Sequence, residues 1–204
     1  MHKVDDYVKR TYRYFYDDGL VEIAVGLLMI AVGAVLLARP LVTSSTLRSA
    51  ILVVILPAMI LGGMFLIKWF VQKAKERVTY ERTGYVAYRR GEPTNSRWFL
   101  IIALLLLFGI MLILPEAFSR TQFVVGYFFA VFLGYLGFRL GLRRFYGIGV
   151  VALLIGLVAT IMFSDEAEGI GLTIGGAGLL LLLSGALTLF RYLRRHPEPR
   201  NVQA

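Results

Sequence analysis

The sequence predicts an all-α polytopic protein of the cell membrane. It should have six transmembrane helices, both termini in the cytoplasm (N-in/C-in), and an amphipathic helix lying at the interface before the first span. Three observations carry this expectation. Hydrophobic residues make up 58% of the 204-residue chain, with a mean hydropathy of +0.71, above the range of soluble globular proteins. The apolar residues gather into six runs, at 20–38, 47–71, 98–114, 123–142, 145–163 and 170–190, each close to the roughly 20 residues that a helix needs to cross a bilayer. Six crossings also place every Lys and Arg except Arg39, Arg48 and Arg120 on one side, which the positive-inside rule makes cytoplasmic. In lipid the backbone must satisfy its own hydrogen bonds, so these runs are read as helices. Their continuity excludes the alternating segments of a β-barrel.

Residues 1–18 form no cleavable signal, because they are polar and charged and lack a short apolar core. Within them Val4, Tyr7, Val8, Thr11, Tyr12 and Phe15 share a helical face, while Arg10 and Arg13 lie largely elsewhere, the pattern of a helix on a membrane surface. Asp17, Asp18 and Gly19 then turn the chain into the bilayer. Asp18 is read as the N-cap, or Gly19 takes that place with Glu22 at the third position as in a capping box. Both aspartates are expected in water. Glu22 falls just below the headgroups, where an ion pair with Arg13, or across the bundle with Arg139 or Arg144, is expected.

The first span (20–38) carries Gly26 and Gly33 one heptad apart. The second (47–71) is bulky, and Pro57 with Gly62 and Gly63 predicts a bend. The connection 72–97 is longer than topology requires and alternates tyrosine and valine with polar residues. Its Arg77, Arg82, Tyr85, Tyr88, Arg89 and Arg90, with Arg10 and Arg13, are the expected contacts for lipid or a partner protein. The third span (98–114) is nearly all Leu, Ile and Phe and should face lipid.

Lipid supplies no hydrophobic drive between helices, so small residues mark the packing faces. The fourth span (123–142) has Gly126, Ala130, Gly134, Gly137 and Gly141; the fifth (145–163) has Gly149, Ala152, Gly156 and Ala159; the sixth (170–190) has Gly171, Gly175, Gly178 and Gly185. Spans four, five and six are therefore expected to make a tight core, joined by span one. The basic tail 191–204 follows.

Chemistry is sparse. The chain has no cysteine, and His2 and His196 stand in the polar tails. No HExxH, GxSxG or Walker-type loop occurs. Glu22, Lys68, Glu116 and Arg139 sit within a turn of a span end, where snorkelling is cheap. Thr160, Thr173 and Ser184 are expected to bond back to their own helices. No catalytic, cofactor or metal site is expected, and no enzyme activity. The net charge of +9 is read as attraction to anionic phospholipids, not nucleic acid, since no basic domain stands apart from the membrane. The function expected is an accessory subunit or homo-oligomeric scaffold whose basic, aromatic cytoplasmic surface binds anionic lipid or a membrane protein partner. The alternative is a small transporter or channel for a small or lipidic substrate along the glycine seams of spans one, four, five and six.

Overall fold

The computed structural model describes Tyr16 and residues 18–76 and 120–195. These residues form an all-helical bundle, with no strand among them, and include five helices long and apolar enough to cross a membrane. We number the helices α1 (Leu20–Ala38), α2 (Ser45–Lys75), α3 (Thr121–Leu140), α4 (Arg143–Met162) and α5 (Glu166–Arg195). They correspond to the first, second, fourth, fifth and sixth runs of the sequence. The third run, the amphipathic segment 4–15, Glu116 and the connection holding Arg77, Arg82, Tyr85, Tyr88, Arg89 and Arg90 lie outside the described residues, as do Arg10 and Arg13.

Local chemistry sets each helix end. A single 3-10 turn, Arg39–Leu41, closes α1 at its proline. The hydroxyl of Ser44 accepts from the Leu47 amide at 3.4 Å and starts α2 as an N-cap. Helix α3 stops at Gly141, whose φ of 69° puts it in the left-handed region that glycine adopts without strain. The Leu142 amide then reaches back to the Gly137 carbonyl at 3.1 Å, as in a Schellman ending. Two residues later α4 begins, so α3 and α4 pack as antiparallel neighbours. The carboxylate of Asp165 accepts from the amides of Ala167 and Glu168 at 2.7 and 3.3 Å and opens α5.

Several boundaries differ from the sequence expectation. Helix α2 runs on through residues 72–75, taking them from the connection, and α5 takes in Glu166 to Gly169 at one end and Arg191 to Arg195 at the other. Charged residues at these ends lowered the hydropathy of the sequence window, yet they are good helix formers at termini where charge is tolerated. The fourth run stops short at Gly141. That glycine is a helix cap with open space around it, not the packing residue the stripe suggested.

Pro57 does not break α2. A π-helical turn over Ile51–Ile55 precedes it, and the Leu56 amide bonds to the Ile51 carbonyl five residues back. Widening the helix by one residue before the proline accommodates its missing donor and its ring.

The tightest seam joins α1 to α5. Built Cβ atoms on Gly26 and Gly33 would lie 2.7 and 2.6 Å from the α5 backbone, at the Gly178 carbonyl and the Gly175 Cα. Gly19, Gly26 and Gly33 on the α1 side meet Gly185, Gly178 and Gly171 of α5 in antiparallel order, each set stepping by seven. The first helix is thus half of the closest contact, not an addition to a core of the last three. A second seam closes α3 on α4, where Gly126 faces Gly156, Gly149 packs on Ala130, and Gly137 lies against Tyr146. Gly134 is half-buried, and Gly175 meets only Gly33 at an ordinary 3.6 Å. Around these backbone contacts Leu133, Leu140, Phe145, Ile148 and Leu181 form one buried cluster, and Val32, Leu36 and Ala167 another. Helix α2 leans on α1 through a face stepping by four, Gly63, Ile67, Val71 and Lys75, and leaves most of its apolar surface exposed. An apolar exterior over small-residue contacts is the arrangement a lipid solvent selects.

Candidate functional site

The charged residues near one end of the bundle build a buried polar cluster. The N-termini of α1 and α4 and the C-termini of α2, α3 and α5 meet there; we refer to it as the basic end. Asp18, fully buried, places Oδ2 2.7 Å from Nζ of Lys75, which is 2% exposed. Its other oxygen accepts from the Leu20 amide at 3.2 Å. The expectation that Asp18 is solvated is therefore overturned. The end of α2 lies over the start of α1, and a carboxylate taken out of water there is retained because an ammonium is taken out with it.

Gly19 occupies the N-cap with φ 70°, and a Cβ at that position would strike the Gly185 carbonyl at 2.4 Å. No side chain completes a capping box. Glu22, 3% exposed, turns its carboxylate into the bundle instead. Its Oε1 accepts from Nη2 of Arg144 at 2.5 Å and its Oε2 from the Ser184 hydroxyl at 3.0 Å. Glu22 is thus paired inside the bundle and does not snorkel.

Arg144 also donates through Nη1 to the Thr188 hydroxyl at 2.8 Å and through Nη2 to the Tyr16 carbonyl at 2.7 Å, while its guanidinium carbon stands 5.6 Å from the centre of the Phe145 ring. Thr188 in turn donates to the Ser184 carbonyl at 2.7 Å, closing a circuit through Glu22, Arg144, Thr188 and Ser184. Tyr16 packs edge-on to Phe145 at 6.3 Å. Burial pushes its phenol above the usual tyrosine range, with the Glu22 charge adding and Arg139 opposing. Arg139 itself donates to the Tyr135 hydroxyl at 3.3 Å, one turn back on α3.

Of the pairings considered for Glu22, the structure brings Arg144 to it, and Arg13 is outside the described residues. Thr160 and Thr173 bond to carbonyls four residues back on their own helices, both at 2.8 Å. Ser184 departs from that expectation, because the carboxylate one helix away is a stronger acceptor than a carbonyl already in the α5 ladder. Sequence reading missed the Asp18 and Lys75 pair and the role of Thr188. It also missed Gln122 at the far end, fully buried under Gly169, donating from Nε2 to the Phe163 carbonyl at 3.3 Å. Near it Thr121 donates to Glu166 at 2.9 Å, and Arg39 approaches Asp165 at 3.7 Å. The available signal for Asp18 and Lys75 was opposite charge at adjoining ends of successive helices.

Chemically the cluster is an ion-paired tie. Both Glu22 oxygens are engaged by donors, and the guanidinium spans the segment before α1, α1 itself and α5. A different feature offers space: an apolar groove of about 390 Å³ between α1 and the second half of α2, lined by Leu27, Leu28, Gly63, Leu66, Trp69 and Phe70 among others. One turn beyond Trp69 on α2, Nζ of Lys73 stands 4.8 Å from the centre of the Trp69 ring. No family model matches the sequence, and no curated protein or solved structure matches the chain.

Proposed function

We propose that this chain is a non-catalytic integral membrane module, an accessory subunit or homo-oligomeric scaffold, whose cytoplasmic surface binds anionic phospholipid. The observation that carries the reading is a separation of charge by burial. Folding withdraws Asp18 and Glu22 into ion pairs, while Lys73, Arg143, Arg191, Arg194 and Arg195 remain exposed at the same end. Among the described residues Glu76 is the one exposed acid there. Each basic side chain near an anionic leaflet contributes about 1 kcal/mol of attraction, so the sum is large and depends on salt. Arg77, Arg82, Arg89 and Arg90, with Tyr85 and Tyr88 as interfacial anchors, extend that surface in this reading.

The six-span topology belongs to the same proposal. Lys75 ends α2 at the basic end, beside Asp18, whereas Thr121 opens α3 beside Glu166 at the other end. The chain between them must cross the bundle's length, and the run 98–114 is apolar enough to do so within the bilayer. A static module is favoured over a transport route because Gly26 and Gly33 meet α5 backbone to backbone, and the Thr160 and Thr173 hydroxyls are bonded within their own helices.

The test is gentle purification from native membranes with mass spectrometry of retained lipid. Reversing Arg82, Arg89, Arg143 and Arg194 to glutamate should remove anionic lipid selectively while helicity and elution volume stay the same. Unchanged anionic lipid in that variant overturns the reading.

A further inference from the structure

We propose that the groove between α1 and α2 binds one anionic phospholipid, with an acyl chain along the groove and the phosphate held at its mouth by Lys73. This rests on the anionic-lipid reading above and gives it a specific place on the molecule. The walls are apolar, from Leu27 and Leu28 on α1 and from Leu66, Trp69 and Phe70 on α2. Gly63 lets the Leu28 side chain come directly against the α2 backbone and forms the inner limit of the groove; a Cβ there would lie 2.4 Å from a Leu28 methyl.

Length selects the occupant. On α2 the lining runs from Gly63 to Phe70, seven residues of helix or about 10 Å at a rise of about 1.5 Å per residue. That lies within one leaflet of a hydrocarbon core of roughly 30 Å. A lipid tail from one leaflet can follow a groove of that length.

Charge selects the headgroup. Trp69 and Phe70 are the α2 lining residues nearest the basic end, and the exposed Lys73 ammonium rests over the Trp69 ring. The indole belongs at headgroup depth and the ammonium just outside it, within reach of a phosphate. Lys68, also exposed, stands five residues back on a different face of α2 and provides a control.

The chain has two tryptophans, so Trp98→Phe leaves Trp69 as the sole reporter. The full chain carrying that change is reconstituted in phosphatidylcholine vesicles. Small equal mole fractions of phosphatidylglycerol or phosphatidylcholine with dibrominated acyl chains are then added. Brominated phosphatidylglycerol should quench Trp69 about fivefold more steeply, the factor corresponding to one basic residue at an anionic surface. Lys73→Gln should abolish that preference and Lys68→Gln should retain it, with unchanged elution and helicity in both. Equal quenching by the two lipids, in a chain that still retains phosphatidylglycerol on purification, overturns the groove site and leaves the broader reading standing. Equal quenching with no retained anionic lipid overturns both. An absence of quenching by either lipid means that protein covers the groove, from this chain or a second copy, and also overturns the site, as does equal loss of preference in both lysine variants.

Discussion

Arg144 of α4 gathers groups from different parts of the bundle: the Glu22 carboxylate, the Thr188 hydroxyl, the Tyr16 carbonyl and the Phe145 ring. Removing one partner of a buried ion pair costs about 3–5 kcal/mol because the other charge stays buried, whereas removing both can be nearly neutral. Arg144→Met is therefore expected to lower the thermal midpoint in detergent sharply. Glu22→Gln combined with Arg144→Met should cost much less than the sum of the single changes. Additive losses would show that the two side chains do not act as a pair. Arg144→Lys should recover little, since a point charge cannot serve a carboxylate, a hydroxyl and a carbonyl in one plane. Thr188→Val should cost only about 1 kcal/mol, the worth of an ordinary hydrogen bond. Glu22 was legible as a residue in need of a cation, because an acid one turn inside an apolar run has few alternatives. Asp18 was not, because an aspartate before a helix reads as a wet cap until one knows that α2 ends over it.

Among the helices, the small residues were legible as stripes, but which stripe meets which was not, since spacing within a helix carries no information about its neighbour. Backbone contact now separates glycines that sequence treats alike. A methyl on Gly26 meets the Gly178 carbonyl and the Leu182 amide, both at 2.7 Å and neither able to yield. Gly26→Ala should cost about 1–3 kcal/mol, the usual penalty of overpacking, and Gly26→Leu should separate α1 from α5. Gly62, by contrast, has nothing within 4 Å. Gly62→Ala is expected to stabilise by about 0.5–1 kcal/mol through helix propensity alone. Thermal melts of both variants in one nanodisc preparation check the contrast, and equal effects would discount the seam. Pro57 shows the limit of a rule: spacing alone marked it as a disturbance of the helix, and what the helix shows is a π turn over the five residues Ile51–Ile55 before it, with α2 continuous through the proline.

At the largest scale, the described residues sort their charges by end, a property legible from the sequence because it depends on counting and not on packing. The absence of native cysteine makes the topology testable. Ser164→Cys, just past α4, should react with an impermeant maleimide only from outside intact cells, and Ser96→Cys only after the cytoplasm is opened. Labelling of both from one side would rule out six crossings. The seven-residue step of the α1 and α5 glycines has a final consequence. Sliding α5 by one heptad, about 10 Å, would still match two of the three glycine pairs, so the seam by itself is a ruler with repeated marks. Only at one setting does Glu22 reach both Ser184 and Arg144. The buried charges thus work as an index mark. They add little net stability to a well-packed alternative, but they decide which of several nearly equivalent alignments the two helices keep.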